Sequence, residues 1–198
     1  MQDWKWNTQS VMATLNASSH SKEDRETNDY YATPRIATES LLNLIPLSTN
    51  ILEPACWQWH ISKVFKEYWH IVLSSDLIDR WYWEQRDFLS DDMIDSWHGD
   101  IVTNPPYSLA NEFLLKALSM IRDGQKVCFL LRIQYLEWVA RHKIYEKYPP
   151  KYIFVSSRSI RCAKNGDFDN ATGNASTYCW FVWEKGYTGS PQVGWFNF

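Results

Sequence analysis

The stretch NILEPACWQWHISKVF, residues 50–65, begins as an apolar run, reaches an acidic residue at Glu53 and a proline at Pro54, and then becomes amphipathic with Ile61, Val64 and Phe65 on one side. That order predicts a short strand, a tight turn and a helix. It is the layout of a nucleotide-cofactor loop, in which the backbone comes close to its ligand and takes positive φ. Glycine does both cheaply. Here the turn holds Trp57 and Trp59 instead.

Outward from this loop, strand and helix signals alternate. HIVLSSD (70–76) predicts a strand ending on Asp76, RDFL (86–89) a weak one, and DIVTN (100–104) another, followed by a helix over LANEFLLKALSMI (109–121). KVCFLLR (126–132) reads as a buried strand, and LEWVARHKIYEKY (136–148) as a helix stopped by Pro149 and Pro150. YIFVSS (152–157) and STYCWFVWEK (176–185) supply the last strands. Upstream, Pro34 suits the first turn of a helix whose apolar face is Ile36, Leu41, Leu42, Leu44 and Ile45. This alternation predicts an α/β fold: a mainly parallel seven-stranded sheet with helices on both faces. Residues 1–28, polar and aperiodic, are expected to form a flexible arm before a single domain over 29–198. Such sheets bind ligands at the carboxyl ends of their strands. The strand-ending residues Glu53, Asp76, Asp87 and Asn104 are therefore the ones to watch.

Composition narrows the partners. A formal charge of −3 and a pI near 5.9 give no global basic field, so a nucleic acid would have to be met by a local patch. The clearest is SSRSIRCAKNGDF (156–168), with Arg158, Arg161 and Lys164 beside Asn165. No apolar run is long enough to span a membrane and the first residues lack the apolar core of a signal peptide, so a cytoplasmic protein is expected. The four cysteines form no C-x-x-C pair and the five histidines show no ligand spacing, so no metal is expected.

The most specific feature is DIVTNPPYSLANEFLLKAL (100–118). Two consecutive prolines stiffen the turn after the strand and remove two backbone donors. What remains is a pair of acceptors, the Asn104 side-chain oxygen and the Pro105 carbonyl, beside Pro106 and the ring of Tyr107. Such a group suits a planar amine held by its two N–H groups while the ring stacks on its base.

Asn104 to Tyr107 resembles the NPPY motif of S-adenosylmethionine-dependent amino-methyltransferases. Together with DYYATP, ILEPAC followed by HIS, SSDLIDR, EKYPPKYIFV, CAKNGDF and WFVWEKGY, in this order over about residues 28–190, the chain is similar to small phage and prophage adenine-N6 DNA methyltransferases. The resemblance implies a Rossmann-like class I methyltransferase fold, S-adenosylmethionine as cofactor, DNA as partner and a bacterial host cell, and we expect a monomer. It implies that Tyr31, Thr33 and Pro34 close over the methionine end of the cofactor. Glu53, Pro54, Ala55, Cys56 and Trp57 would face the amino acid moiety, Asp76 the ribose, Asp87 and Phe88 the adenine ring, and Asn104 would border both cofactor and substrate. The catalytic turn would be Asn104, Pro105, Pro106 and Tyr107, with Tyr107 stacking on a flipped base, and Arg158, Arg161, Lys164 and Asn165 would contact DNA. The same motif serves enzymes acting on RNA or on a protein glutamine, and a catalytically silent DNA-binding module is the non-enzymatic alternative.

Twelve tryptophans stand against seven glycines, and every glycine lies at Gly99 or later. An ordinary share would be about 14 glycines. Trp6, Trp57, Trp59, Trp69, Trp81, Trp83 and Trp138 occupy places where the family has glycine, whereas Trp180 and Trp183 stand where it has tryptophan. Three readings are open: a decayed or repurposed fold, ordinary core aromatics with a chance likeness, or UGA codons decoded as glycine by the cell and written as tryptophan. The coding DNA separates them. On the third reading the seven codons are UGA and those for Trp180 and Trp183 are UGG; UGG throughout removes it.

Overall fold

Strand β6 (Lys126–Arg132) shows how the sheet is built. Its Val127, Phe129 and Leu131 enter one apolar core, while Cys128 and Leu130 enter another on the opposite face. All five are fully buried, as expected of a central strand covered on both sides. The computed structural model describes residues 31–79, 84–90, 96–137, 139–160, 162–164 and 177–197. The expected arm at 1–28 lies outside them.

The other strands are β1 (Tyr31–Ala32), β2 (Asn50–Glu53), β3 (Ile71–Asp76), β4 (Glu84–Gln85), β5 (Asp100–Thr103), β7 (Tyr152–Ser156), β8 (Ala163–Lys164), β9 (Tyr178–Glu184) and β10 (Gln192–Phe196). Eight of them form one sheet in the order β10-β7-β9-β6-β5-β2-β3-β4. Every pairing in it is parallel except those of β9, which runs against both β6 and β7. Helices α1 (Arg35–Leu44) and α2 (His60–Glu67) cover one face through Leu41, Ile61 and Phe65. Helices α3 (Ala110–Met120) and α4 (Val139–Lys147) cover the other through Phe113, Leu114 and Ile144. The expected α/β layering is therefore observed, with two corrections.

The sheet has eight strands rather than seven. β10 adds to the outer edge of β7 in parallel, and of its residues only Phe196 is buried, so its sequence QVGWF lacks the apolar run of an inner strand. The weak strand expected over 86–89 is displaced to Glu84–Gln85; Asp87 to Ser90 is a turn, closed by the Ser90 amide on the Asp87 carbonyl at 3.2 Å. Separately, β1 pairs antiparallel with β8, bringing Ala32 opposite Ala163.

Three polar side chains inside this layered core tie elements together. The indole N–H of Trp180 donates to the Ala37 carbonyl at 2.8 Å, tying β9 to α1, and that of Trp183 reaches the Tyr148 carbonyl at 3.2 Å. Asp100, with no exposed surface, accepts the Lys126 amide at 2.7 Å and the Ser48 amide at 2.7 Å. It thereby joins the start of β5 to the start of β6 and the entry to β2. Beside it Gly99 is required by space, since a Cβ there would run into the Asn50 carbonyl.

Asp100→Ala leaves the half-buried Ser48 and Lys126 amides without this acceptor and is expected to cost about 2 kcal/mol, taking the low end of about 1–3 kcal/mol for each unmet group. The measurement is the urea midpoint of the full chain and its variant; an unchanged midpoint would show that water replaces the carboxylate at no cost.

Candidate active site

The carboxyl ends of the parallel strands and the start of the reversed β9 lie along one end of the sheet, and polar side chains gather there. Glu53 ends β2 and Asp76 ends β3, both buried. Asn104 follows β5, and Arg132 ends β6 directly opposite Tyr178 of β9.

The loop between β2 and α2 is held by backbone amides. The Cys56 amide donates to the Ser75 carbonyl at 3.0 Å and the Trp57 amide to Asp76 Oδ2 at 2.9 Å. Asp76 Oδ1 accepts the Ile78 amide at 3.0 Å, so this carboxylate organises its own turn as well as its neighbour's. The Trp59 amide returns to the Cys56 carbonyl at 2.8 Å, and the Trp59 carbonyl accepts the Lys63 amide at 2.8 Å, starting α2. With these bonds made, residues 57 and 59 sit at φ 48° and 69°. Each left-handed residue with a Cβ costs about 1–2 kcal/mol.

Glu53 faces the same space, 2% exposed. Its Oε2 accepts the Ser62 amide at 2.8 Å and the Ser62 hydroxyl, which is in turn linked to the Ser74 hydroxyl at 2.6 Å. Burial pushes its carboxyl up to about 8; the Ser62 bonds oppose this and the charge of Asp76 adds to it. Burial, with Glu53 and Asp76 nearby, likewise pushes the Cys56 thiol far up, so it is no nucleophile near neutral pH. The His60 imidazole is shifted down by burial and by Lys63.

Opposite the loop, the Asn104 amide nitrogen donates to the Thr33 hydroxyl at 3.2 Å, and Thr33 is delivered there by the β1–β8 pairing. The following turn runs through Pro105 and Pro106 into a short 3-10 segment at Tyr107–Leu109, closed by the Leu109 amide on the Pro106 carbonyl at 3.0 Å. The Tyr107 hydroxyl donates to that of Tyr178 at 2.9 Å, and the Arg132 guanidinium lies 5.1 Å from the Tyr107 ring centre. Burial pushes the Tyr107 hydroxyl well up, so it stays neutral.

Thr33, Glu53, Ala55, Cys56, Trp57 and Asn104 line a single cavity. Ala32, His60 and Ile61 complete it, and the sequence reading missed all three. Pro54 is buried at the turn and Pro34 caps α1; the backbone of Tyr31 pairs with Lys164. Asp87 and Phe88, expected at the adenine ring, do not line this cavity: Asp87 is exposed, its Oδ1 accepting the Leu89 amide at 2.9 Å, and Phe88 is packed in the core, 4.9 Å from the Phe113 ring. Arg158 is exposed near the end of β7, its carbonyl accepting the Ser156 hydroxyl, while Arg161 and Asn165 lie outside the described residues. Arg132 and Tyr178 were also missed, although Arg132 obeys the strand-end rule that selected Asn104. Among the described residues no group of three or more His, Cys, Asp and Glu side chains could hold a metal ion, and no helix is long and apolar enough to cross a membrane.

No protein-family model matches the chain, and no curated protein matches it by sequence. Solved structures do match. A protein of Listeria monocytogenes provisionally classed as a class I S-adenosylmethionine-dependent methyltransferase shares 14% identity over 93% of this chain and 70% of its own, with a TM-score of 0.59. One of Pyrococcus horikoshii provisionally classed as an RNA methyltransferase shares 11% over 91% of this chain and 99% of its own, TM-score 0.55. The type IIG restriction endonuclease BpuSI shares 13% over 81% of this chain and 26% of its own, TM-score 0.56. At these identities the likeness establishes the Rossmann-like class I methyltransferase fold.

S-adenosylmethionine, the cofactor implied by the sequence resemblance, meets a mixed reception in this cleft. One feature suits it: Glu53, a buried acid at a strand end, lines the cavity opposite Asn104. The space does not. The cavity measures about 10 Å³, room for about one water, against about 300 Å³ or more for a ligand site. Trp57, 8% exposed, is part of its wall.

A carboxyl whose folded pKa is raised from 4.5 to about 8 stabilises the protein fully below 4.5, and that contribution is lost as the pH climbs through about 8. The urea midpoint is therefore expected to fall across this window, and Glu53→Gln to flatten the fall. Equal slopes for both chains would place the titration elsewhere.

Proposed function

We propose that the chain carries an amino-methyltransferase site for the exocyclic N6 amine of adenine in DNA, with S-adenosylmethionine as the methyl donor. The observation that carries this reading is Asn104-Pro105-Pro106-Tyr107 at the carboxyl end of central strand β5, with Asn104 sharing one cavity with Glu53. With its nitrogen engaged by Thr33, the Asn104 carboxamide turns its oxygen to the other side. That oxygen and the Pro105 carbonyl form the acceptor pair for a planar amine, drawing its nitrogen out of conjugation with the ring. The Tyr107 ring, with Arg132 over one face, would be the aromatic partner of the base. A base in a duplex reaches such a site only when flipped out. Arg158, with Arg161, Lys164 and Asn165, would supply phosphate or target-base contacts.

DNA is preferred because the sequence motifs resemble DNA enzymes, and the fold likeness to a restriction endonuclease agrees with that preference. The likeness to a protein provisionally classed as an RNA methyltransferase keeps RNA as an alternative substrate. A silent binding module is the second reading, favoured by the indole of Trp57 in the cleft.

The test offers DNA, RNA and protein together with methyl-labelled S-adenosylmethionine to the full chain carrying Trp57→Gly and Trp59→Gly, which removes the Trp57 indole from the cleft and relieves both left-handed positions of the loop. Label is expected in DNA, as N6-methyladenine. Asn104→Ala in the same background is expected to lower transfer by about 100-fold or more, the usual scale for losing one oriented polar group at a reacting centre, while cofactor binding persists. Label in RNA or protein alone overturns the DNA reading, and cofactor binding without any transfer favours the silent module.

A further inference from the structure

We infer that positions 57, 59 and 69 are glycine positions, occupied by glycine in the protein the cell makes, and that the cleft admits S-adenosylmethionine only when the Trp57 indole is absent. The cofactor half of this inference rests on the function proposed above. The glycine half does not.

Among the described residues, the non-glycine residues with positive φ are Trp57 at 48°, Trp59 at 69° and Trp69 at 68°, and no others. All three are tryptophan, a bulky residue for which this region is an outlier. All three also belong to the set that the sequence resemblance assigns to glycine. Trp180 and Trp183, assigned to tryptophan, have ordinary backbone and buried rings whose N–H groups reach carbonyls of other elements. Motif alignment and backbone angle divide the five described tryptophans that the resemblance assigns in the same way.

Trp69 isolates the cause, because it lies away from the cleft. The His70 amide reaches back to the Phe65 carbonyl at 3.0 Å and the Trp69 amide to the Lys66 carbonyl at 3.1 Å, the two bonds of a Schellman helix end. Trp69 holds the left-handed position that such an end gives to glycine. Its side chain is 91% exposed, so no packing of the indole accounts for a tryptophan there. In the cleft the effect is the reverse: Trp57 is buried and fills ligand space. Decay of an unused gene would scatter substitutions over many residue types. One codon read in two ways converts glycines to tryptophan alone, and UGA decoded as glycine is such a codon.

The test has two arms on the full chain. In the first, urea midpoints are compared for the chain as written, Trp69→Gly, Trp69→Ala and Trp180→Gly. Trp69→Gly is expected to have the highest midpoint and Trp180→Gly the lowest; Trp69→Gly falling to or below Trp69→Ala overturns the glycine assignment, whatever the cofactor does. In the second, calorimetry titrates S-adenosylmethionine into the chain as written and into Trp57→Gly/Trp59→Gly. Binding heat is expected only for the double variant. Equal binding by both overturns the claim that the Trp57 indole closes the cleft. A folded double variant with no binding overturns the cofactor reading and leaves the glycine assignment to stand on the first arm.

Discussion

The bond from the residue 57 amide to the Asp76 carboxylate is the constraint on which the cleft depends. It couples the turn after β2 to the end of β3, and with the Cys56 amide on the Ser75 carbonyl it fixes where the loop runs before α2 begins. A chain that must present two amides to the neighbouring strand and still start a helix within four residues has few backbone solutions, and the one adopted passes twice through the left-handed region. The side chain at 57 is thereby directed by the loop's hydrogen bonding into the space between Glu53 and Asn104. Loop geometry and cleft volume are one problem, not two.

Much of the sheet was readable because its inner strands are continuous apolar runs. Lys126–Arg132 was delimited to the residue, and Asp100–Thr103 to within one, since burial on both faces leaves no competing pattern. The reading weakened where burial is one-sided or absent. β10 carries Val193 and Trp195 outward, and β4 is two exposed residues, so neither offers a run to detect. The site divided in the same way. Glu53 and Asn104 could be found because each ends a strand with a recognisable motif, and the sharing of one cavity by Thr33 with both required the β1–β8 pairing, which joins residues over 130 apart in sequence and leaves no local trace. Asp87 and Phe88 show the converse: adjacent in a motif, they separate into an exposed turn and a buried core ring.

The reversed strand β9 explains how a tyrosine from the far end of the chain comes to stand beside the Asn104 turn. Because it runs against its neighbours, its first residue lies at the sheet end where theirs finish, so Tyr178 meets Arg132 in register and the Tyr107 hydroxyl by hydrogen bond. Its buried centre anchors that start firmly: Cys179 to Trp183 are at most 1% exposed, and the two indoles among them are tied to α1 and to the end of α4. The polar cluster around Tyr107 is thus mounted on one of the most deeply buried elements of the fold.

β10 leaves the sheet with an open rim. Beyond β7 it offers five residues without a charged side chain, two of them large apolar groups facing solvent, and its outer row of amides and carbonyls has no neighbouring strand among the described residues. Natural sheets guard such rims with lysine, proline or a bulge. The practical consequence is one of handling: another extended chain could add itself along this rim, so concentrated samples are best kept with a charged residue placed at Val193 or Trp195.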